Sequence, residues 1–154
     1  MPPARIPFDE ASFRWKGIEP RAYREMARQE RGMGFRGVAR HTLASGQDLP
    51  AEFELRYFEL EPGGYSSLEK HRHAHFVVAL RGSGRALVGE QVIELEPFDA
   101  VYVGPQTPHR WMNSGDGPFG FLCPVDASRD HPQPLDETEW EALRANPVTA
   151  PYVF

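Results

Sequence analysis

The stretch HRHAHFVVAL, at residues 71–80, places three histidines at alternate positions ahead of an unbroken apolar run. Side chains of a β-strand alternate between its two faces, so His71, His73 and His75 are expected to point the same way. Imidazoles at that spacing can bind one metal ion, whereas burying them without an ion leaves ring nitrogens without partners. The stretch therefore predicts a metal site on a strand. Because apolar residues follow on both faces, we expect this strand to be interior.

Short strands separated by turn residues are predicted on both sides of this stretch. Phe53–Tyr57 alternates apolar and charged residues, and Glu61–Gly64 is predicted as a turn. Turn residues also separate five later segments, predicted as strands at Arg85–Val88, Gln91–Leu95, Ala100–Val103, His109–Met112 and Phe119–Cys123. Regularly spaced short strands of this kind indicate an all-β sandwich or closed barrel.

Two short helices are predicted outside the strands. The first covers Arg21–Arg31, between Pro20 and Gly32. The second is capped by Asp136 or Thr138 and ends at Asn146-Pro147. We therefore predict an N-terminal extension at residues 1–45, a β-barrel at 46–127 and a C-terminal tail with a helix at 128–154.

Composition limits the class of protein. The chain has 154 residues, of which 40% are hydrophobic and 25% charged, as is typical of one globular domain. The longest apolar run is Phe76–Leu80, so no membrane span is expected. Cys123 is the one cysteine, which excludes an intramolecular disulfide. With no apolar segment behind the first residues, we expect a cytoplasmic protein.

Charge is distributed unevenly along the chain. Residues 1–40 contain nine Arg or Lys against five Asp or Glu, whereas the whole chain has a net charge of −5. Glu19, Glu25 and Glu30 interrupt the basic segment, which argues against nucleic-acid binding. We expect this segment to lie on the acidic body of the same chain or of a partner subunit.

The residues around the histidines resemble the first motif of the cupin superfamily. Gly64, His71, His73 and Gly82 match its glycines and its His-x-His pair, and His75 stands at the position of its glutamate. The resemblance implies a double-stranded β-helix, or jelly roll, over about residues 50–125, with one metal ion inside the barrel.

A second cupin motif is matched further along the chain. His109 and Asn113 correspond to its histidine and asparagine, with Pro105 and Pro108 in the preceding turn, although Phe98 replaces its opening glycine. Together the two motifs imply a single divalent ion bound by His71, His73, His75 and His109.

Four neutral imidazoles leave the full +2 charge of the ion in the pocket, so an anionic or enolised ligand is expected there. Imidazole donors suit Fe, Cu, Ni or Zn, with Mn possible. Imidazoles must be unprotonated to bind, so the metal affinity is expected to fall below about pH 6.5. This ligand set also lacks a carboxylate that could act as a general base.

Strand alternation predicts the other residues of the pocket. Three groups are expected: Val77 and Ala79 beside the histidines, Trp111 and Asn113 beside His109, and Phe53, Leu55 and Tyr57, or else their alternates, on the facing strand. Cys123 is interpreted as an inert buried thiol, and His41 and His131 as ordinary residues.

The resemblance to cupins implies a metal-dependent oxygenase or dioxygenase acting on a small anionic or enolisable molecule. A non-catalytic cupin that senses or stores a metal or small molecule is the alternative, with a metal-dependent isomerase or lyase as a further one. The expected partners are the small molecule and a second copy of the chain. The homodimer would cover the apolar outer face formed by Phe76, Val78 and Leu80, with part of residues 1–40 in the contact.

Overall fold

The computed structural model describes residues 5–23, 31–46 and 49–154. Its regular elements are eleven strands, one α-helix and a short 3-10 helix at Ala150–Tyr152. The strands are β1 Phe8–Asp9, β2 Arg14–Trp15, β3 Arg21–Ala22, β4 Arg36–Ala44, β5 Phe53–Tyr65, β6 His75–Arg81, β7 Gly84–Val88, β8 Gln91–Leu95, β9 Ala100–Val103, β10 His109–Asn113 and β11 Phe119–Asp126, and the α-helix is α1 Glu137–Ala145.

Nine strands form one antiparallel sheet that curls on itself. Its order is β8-β7-β10-β5-β11-β6-β9, with β4 paired to β5 and β3 to β4. Strand β5 reaches both walls of the barrel, since it pairs with β11 from Phe53 to Leu60 and with β10 at Tyr65. The all-β jelly-roll architecture predicted from the sequence is confirmed, and each predicted strand segment contributes to a strand of the sheet.

The predicted turn at Glu61–Gly64 lies inside β5. The pairing of β5 with β4 jumps there from Leu60 opposite Val38 to Tyr65 opposite Arg36, and Gly63 has a φ of 75°. Extra residues on one strand bend it and increase its twist. The Pro-Gly-Gly segment therefore bends a continuous strand around the corner of the barrel instead of reversing the chain.

Two local predictions were wrong. The strand predicted from His71 begins only at His75, because residues 71–74 form an irregular loop. The helix predicted over Arg21–Arg31 is contradicted at its start, since Arg21 and Ala22 form β3 on the edge of β4. Residues 24–30 of that prediction lie outside the described residues.

The apolar core has two parts. One fills the barrel and includes Val77, Ala79 and Val103, with Phe119 behind them. The other lies under α1, where Trp140 and Leu143 pack with further apolar side chains, namely Leu68, Leu87, Met112 and Val153. The C-terminal helix is confirmed, and Asp136 caps it by accepting a hydrogen bond from the Glu139 N–H at 2.9 Å.

The outer surface of the barrel is partly covered by the N-terminal hairpin β1–β2. Its Phe13 and Trp15 rings lie 5.8 and 5.1 Å from the ring of Tyr57 on β5. On the β6–β9 edge, the cross-strand neighbours Phe76 and Tyr102 remain 51% and 62% exposed. The homodimer that would cover Phe76, Val78 and Leu80 stays a prediction. No helix among the described residues is long and apolar enough to cross a membrane.

Gly82, in the turn after β6, is required by the fold. Its φ is 69°, and an added Cβ would overlap the carbonyl oxygen of Pro118. We expect Gly82→Ala to lower the free energy of unfolding by about 1–3 kcal/mol or more, measured by urea denaturation. Gly117→Ala is the matched control, because a Cβ there meets nothing within 4 Å. Equal stabilities of the two variants would contradict this account of Gly82.

Candidate metal centre

Three buried histidines converge inside the barrel. His75 opens β6, His109 opens β10, and His71 lies in the loop before β6. Their ligating nitrogens all lie within 4.8 Å of one another, and Nε2 of His71 is 2.7 Å from Nε2 of His75. The cluster brings together side chains from β6, from β10 and from the loop before β6, and its three nitrogen donors could bind a single ion.

Backbone carbonyls fix the orientation of two of these rings. Nδ1 of His71 lies 2.7 Å from the carbonyl oxygen of His73, and Nδ1 of His109 lies 2.9 Å from that of Thr107. A carbonyl only accepts, so each Nδ1 donates its hydrogen and each Nε2 keeps a lone pair. Within the described part of the chain, Nε2 of His109 has no hydrogen-bond partner. Buried lone pairs aimed at one point fit a divalent cation.

Burial keeps the imidazoles neutral. It lowers the pKa of His71 to about 4 and that of His109 to about 3. The pKa of His75 is also lowered, first by burial and then by the neighbouring His109 and His71 rings. All three are therefore unprotonated near pH 7, as metal binding requires.

His73, the fourth predicted ligand, lies beside this triad and lines the same cavity; its role as a ligand stays a prediction. Its ring stacks parallel on His71 with centroids 3.6 Å apart, and its Nδ1 lies 2.9 Å from a carboxylate oxygen of Asp130. The backbone N–H groups of Arg72 and His73 donate to the same carboxylate at 2.8 and 3.1 Å, and they hold the pKa of Asp130 below its usual range. Residues 71–74 form a loop held by hydrogen bonds to Asp130. The direction of the His73 side chain therefore does not follow from the alternation of a β-strand.

Glu69 is a site residue that the sequence reasoning missed. It forms an antiparallel bridge with His109 through reciprocal backbone hydrogen bonds of 3.1 and 2.9 Å. Its side chain lines the same cavity as the histidines and accepts a hydrogen bond from Ser67 Oγ. The predicted ligand set has no carboxylate, but the cavity around it does. The place of Glu69 depends on the pairing with His109, which the local sequence pattern does not show.

The histidines open into a cavity of about 590 Å³. Aromatic rings form another of its walls: Phe58 stacks on Phe121 at 5.6 Å, and Phe121 lies 5.3 Å from Trp111. Tyr23 and Phe35 extend this wall, with Tyr23 stacked 6.1 Å from Phe58. The cavity therefore has an apolar side and a side of metal-binding nitrogens.

The predicted pocket residues take different places. Trp111 lines the cavity, whereas Phe53, Leu55 and Tyr57 do not, and the alternates Arg56, Phe58 and Leu60 line it instead. The reason is the register of β5, which turns Tyr57 outward under the N-terminal hairpin. Val77 and Ala79 belong to the barrel core, and Asn113 donates to the carbonyls of Leu60 and Gly117.

Cys123 lies against the metal centre. Its Sγ is 3.1 Å from Nδ1 of His75 and 3.3 Å from Nη2 of Arg56, and it lines the cavity. Burial raises the pKa of its thiol, while the Arg56 guanidinium acts in the opposite direction. A buried thiol thus lies between a candidate metal ligand and a buried cation.

Comparison with known proteins agrees with this geometry. The family model described as "Cupin domain" matches residues 56–125. A curated protein of Rhodospirillum rubrum, named 1-methylthio-D-xylulose 5-phosphate methylsulfurylase, is 42% identical over 144 residues, covering 94% of this chain and 88% of that protein. The chain belongs to the cupin family.

Two further matches are informative. A solved cupin 2 conserved barrel domain protein from Rhodopseudomonas palustris superposes with a TM-score of 0.84 at 34% identity, covering 97% of this chain and 99% of that one. A glucose-6-phosphate isomerase of Thermococcus litoralis is 41% identical over 81 residues, which are 48% of this chain and 42% of that enzyme.

We predict that this cupin retains its divalent ion well below the pH at which free imidazole is protonated. Protons do not compete for His71 until about pH 4, instead of the value near 6.5 expected from the sequence. Elemental analysis after dialysis across this pH range should show full occupancy down to about pH 5. The variant His109→Ala should lose metal throughout, and a wild-type protein half empty at about pH 6.5 would contradict the prediction.

Proposed function

We propose that this cupin is a metal-dependent enzyme that removes the methylthio group from a phosphorylated 1-methylthio ketose. The observation that carries the proposal is one cavity lined by metal-binding imidazoles, a thiol and a wall of aromatic rings. The R. rubrum relative is named for 1-methylthio-D-xylulose 5-phosphate. The T. litoralis relative is likewise named for a sugar phosphate.

The aromatic wall suits the methylthio end of such a substrate. A thioether sulfur is polarisable and packs favourably against aromatic rings. Phe58, Phe121 and Trp111 provide these rings on the side of the cavity next to Cys123. A methylthio group bound there would lie within reach of the thiol.

The reaction has a definite electron balance. Replacing the C1–S bond by a C1–H bond leaves the bonding electron pair on C1, so the methylthio group departs electron-deficient. A thiol can accept it by forming an S–S bond, and the thiol's proton then supplies the new hydrogen on C1. The products are the 1-deoxy ketose phosphate and a mixed methyl disulfide.

We assign the accepting thiol to Cys123. Burial raises the pKa of this thiol, and the Arg56 guanidinium, with Nη2 at 3.3 Å, opposes that rise by its positive charge. A second thiol from solution would then release the methylthio group as a free disulfide and restore Cys123. Glu69, which lines the same cavity, is the acid–base group that would carry the proton between sulfur and C1.

A divalent ion held by His71, His75 and His109 would polarise the ketone carbonyl and stabilise negative charge on its oxygen. The protein's own task is to hold that carbonyl between the imidazoles and Glu69. The aromatic wall would limit the access of water to the carbanion formed at C1.

Isomerisation of a sugar phosphate is a second candidate, favoured by Glu69. Moving a proton between C1 and C2 requires one acid–base group beside the carbonyl. The sequence analysis predicted no such group, whereas the structure places Glu69 in the cavity. The dioxygenase activity expected from the sequence has no support in the relatives described above.

The proposal is tested with the metal-loaded protein and 1-methylthio-D-xylulose 5-phosphate in the absence of added thiol. Intact-mass spectrometry should detect one methylthio adduct per chain, located on Cys123, together with one equivalent of 1-deoxy-D-xylulose 5-phosphate. Cys123→Ser should give neither product. It should retain its metal, because the candidate metal ligands are the three histidines and not Cys123.

Two other results are informative. Conversion of the substrate to an isomer, with the methylthio group kept, would replace the proposal by the isomerase candidate. Tight binding of metal and substrate without any product, with or without added glutathione, would contradict both and indicate a binding protein.

A further inference from the structure

We propose that Arg56 forms the anion subsite of the cavity and binds the phosphate group of the substrate. The inference rests on the proposed function for the identity of the anion as a phosphate monoester. Its evidence is that the buried Arg56 side chain has few hydrogen-bond partners, whereas the buried side chain of Arg110 has a full set.

Arg56 is a buried cation facing the cavity. It lies on the inner face of β5, is 7% exposed and lines the cavity next to Cys123. Its hydrogen bonds run to a single residue, with Nη2 3.3 Å from the Cys123 sulfur and Nε 3.5 Å from the Cys123 carbonyl oxygen. A guanidinium has five N–H donors, so most of them are available to a ligand.

No carboxylate pairs with Arg56 among residues 5–23, 31–46 and 49–154. The Phe58 ring, 5.0 Å from its central carbon, provides the other stabilising contact. Removing a charge from water is costly unless an opposite charge or a full set of hydrogen bonds replaces the water. A buried guanidinium in this state is suited to an anion that arrives with the ligand.

Arg110 shows how this fold satisfies a buried arginine that has a structural role. Its three nitrogens donate at 2.9–3.1 Å to four carbonyl oxygens, those of Gly32, Ser66, Tyr152 and Phe154. Arg129, which also lines the cavity, is paired with Glu54 at 2.9 Å and donates to the Asp126 carbonyl at 3.2 Å. Arg56, by contrast, has no carboxylate partner among the described residues, and one carbonyl contact, a long one of 3.5 Å to Cys123.

The position of Arg56 fits a sugar phosphate that reaches the metal centre. One thiol separates its guanidinium from the His75 ring, a distance that a pentulose chain can span. The planar fork of a guanidinium matches two phosphate oxygens, which a point charge such as an ammonium group does not. A phosphate at Arg56 would therefore orient the ketose with its carbonyl toward the histidines.

Isothermal titration of the metal-loaded full chain tests this subsite. The probes are inorganic phosphate and D-xylulose 5-phosphate, with unphosphorylated D-xylulose as the neutral comparison. We expect Arg56→Met to weaken both phosphate probes by about 10- to 100-fold and to leave D-xylulose unchanged. Arg56→Lys keeps the positive charge and should lose less affinity for the phosphate probes. It replaces Arg56→Met in the titration if the methionine variant does not fold.

Arg129→Met is the matched control, because it removes a cavity-lining arginine that already has an ion pair. It should retain the wild-type affinity for both phosphate probes, and all variants should keep their metal content. A loss in Arg129→Met as large as in Arg56→Met would overturn the assignment, as would an equal loss of D-xylulose binding in Arg56→Met.

Arg56 could instead serve only the Cys123 thiol. In that case Arg56→Met would slow alkylation of Cys123 and leave the affinity for phosphate unchanged, and the subsite would be refuted. The outcome is independent of turnover. A chain that binds phosphate through Arg56 but forms no methylthio adduct contradicts the proposed function alone.

Discussion

The site depends on two hydrogen bonds from histidine rings to backbone carbonyls. The carbonyls of His73 and Thr107 take the Nδ1 hydrogens of His71 and His109, which leaves both Nε2 lone pairs directed into the barrel. Burial then keeps the rings neutral. The fold thus sets the orientation and protonation state of these imidazoles before any ion binds. The other functional groups of the cavity, including Glu69 and Cys123, lie around them.

The barrel assigns different chemistry to different strands. Strands β6 and β10 carry the candidate metal ligands His75 and His109, while β5 and β11 contribute the stacked Phe58 and Phe121 rings and the Arg56–Cys123 pair. Because β5 bends at its Pro-Gly-Gly segment, it contributes to both walls of the curled sheet. A substrate with a phosphate, a carbonyl and an apolar methylthio group would find a matching partner for each: Arg56, the histidines and the aromatic rings.

The sequence predicted those features that depend on local pattern. Alternation and turn residues located the strands, and the two cupin motifs located all three histidines that converge in the structure, His71, His75 and His109. The position of His73 was not predictable, since its loop is shaped by Asp130, 57 residues away in sequence. The same holds for the register of β5, which decides that Arg56 rather than Tyr57 faces the cavity, and for Glu69, which enters the cavity through its pairing with His109.

The central claim is that His71, His75 and His109 together form the metal centre. Crystals of the protein loaded with a divalent metal, measured at the absorption edge of that metal, test it most directly. We predict one anomalous peak per chain, about 2.1 Å from Nε2 of His71, His75 and His109, with His73 still bonded to Asp130. A peak coordinated by His73 in place of His109, or by the sulfur of Cys123, would contradict the account.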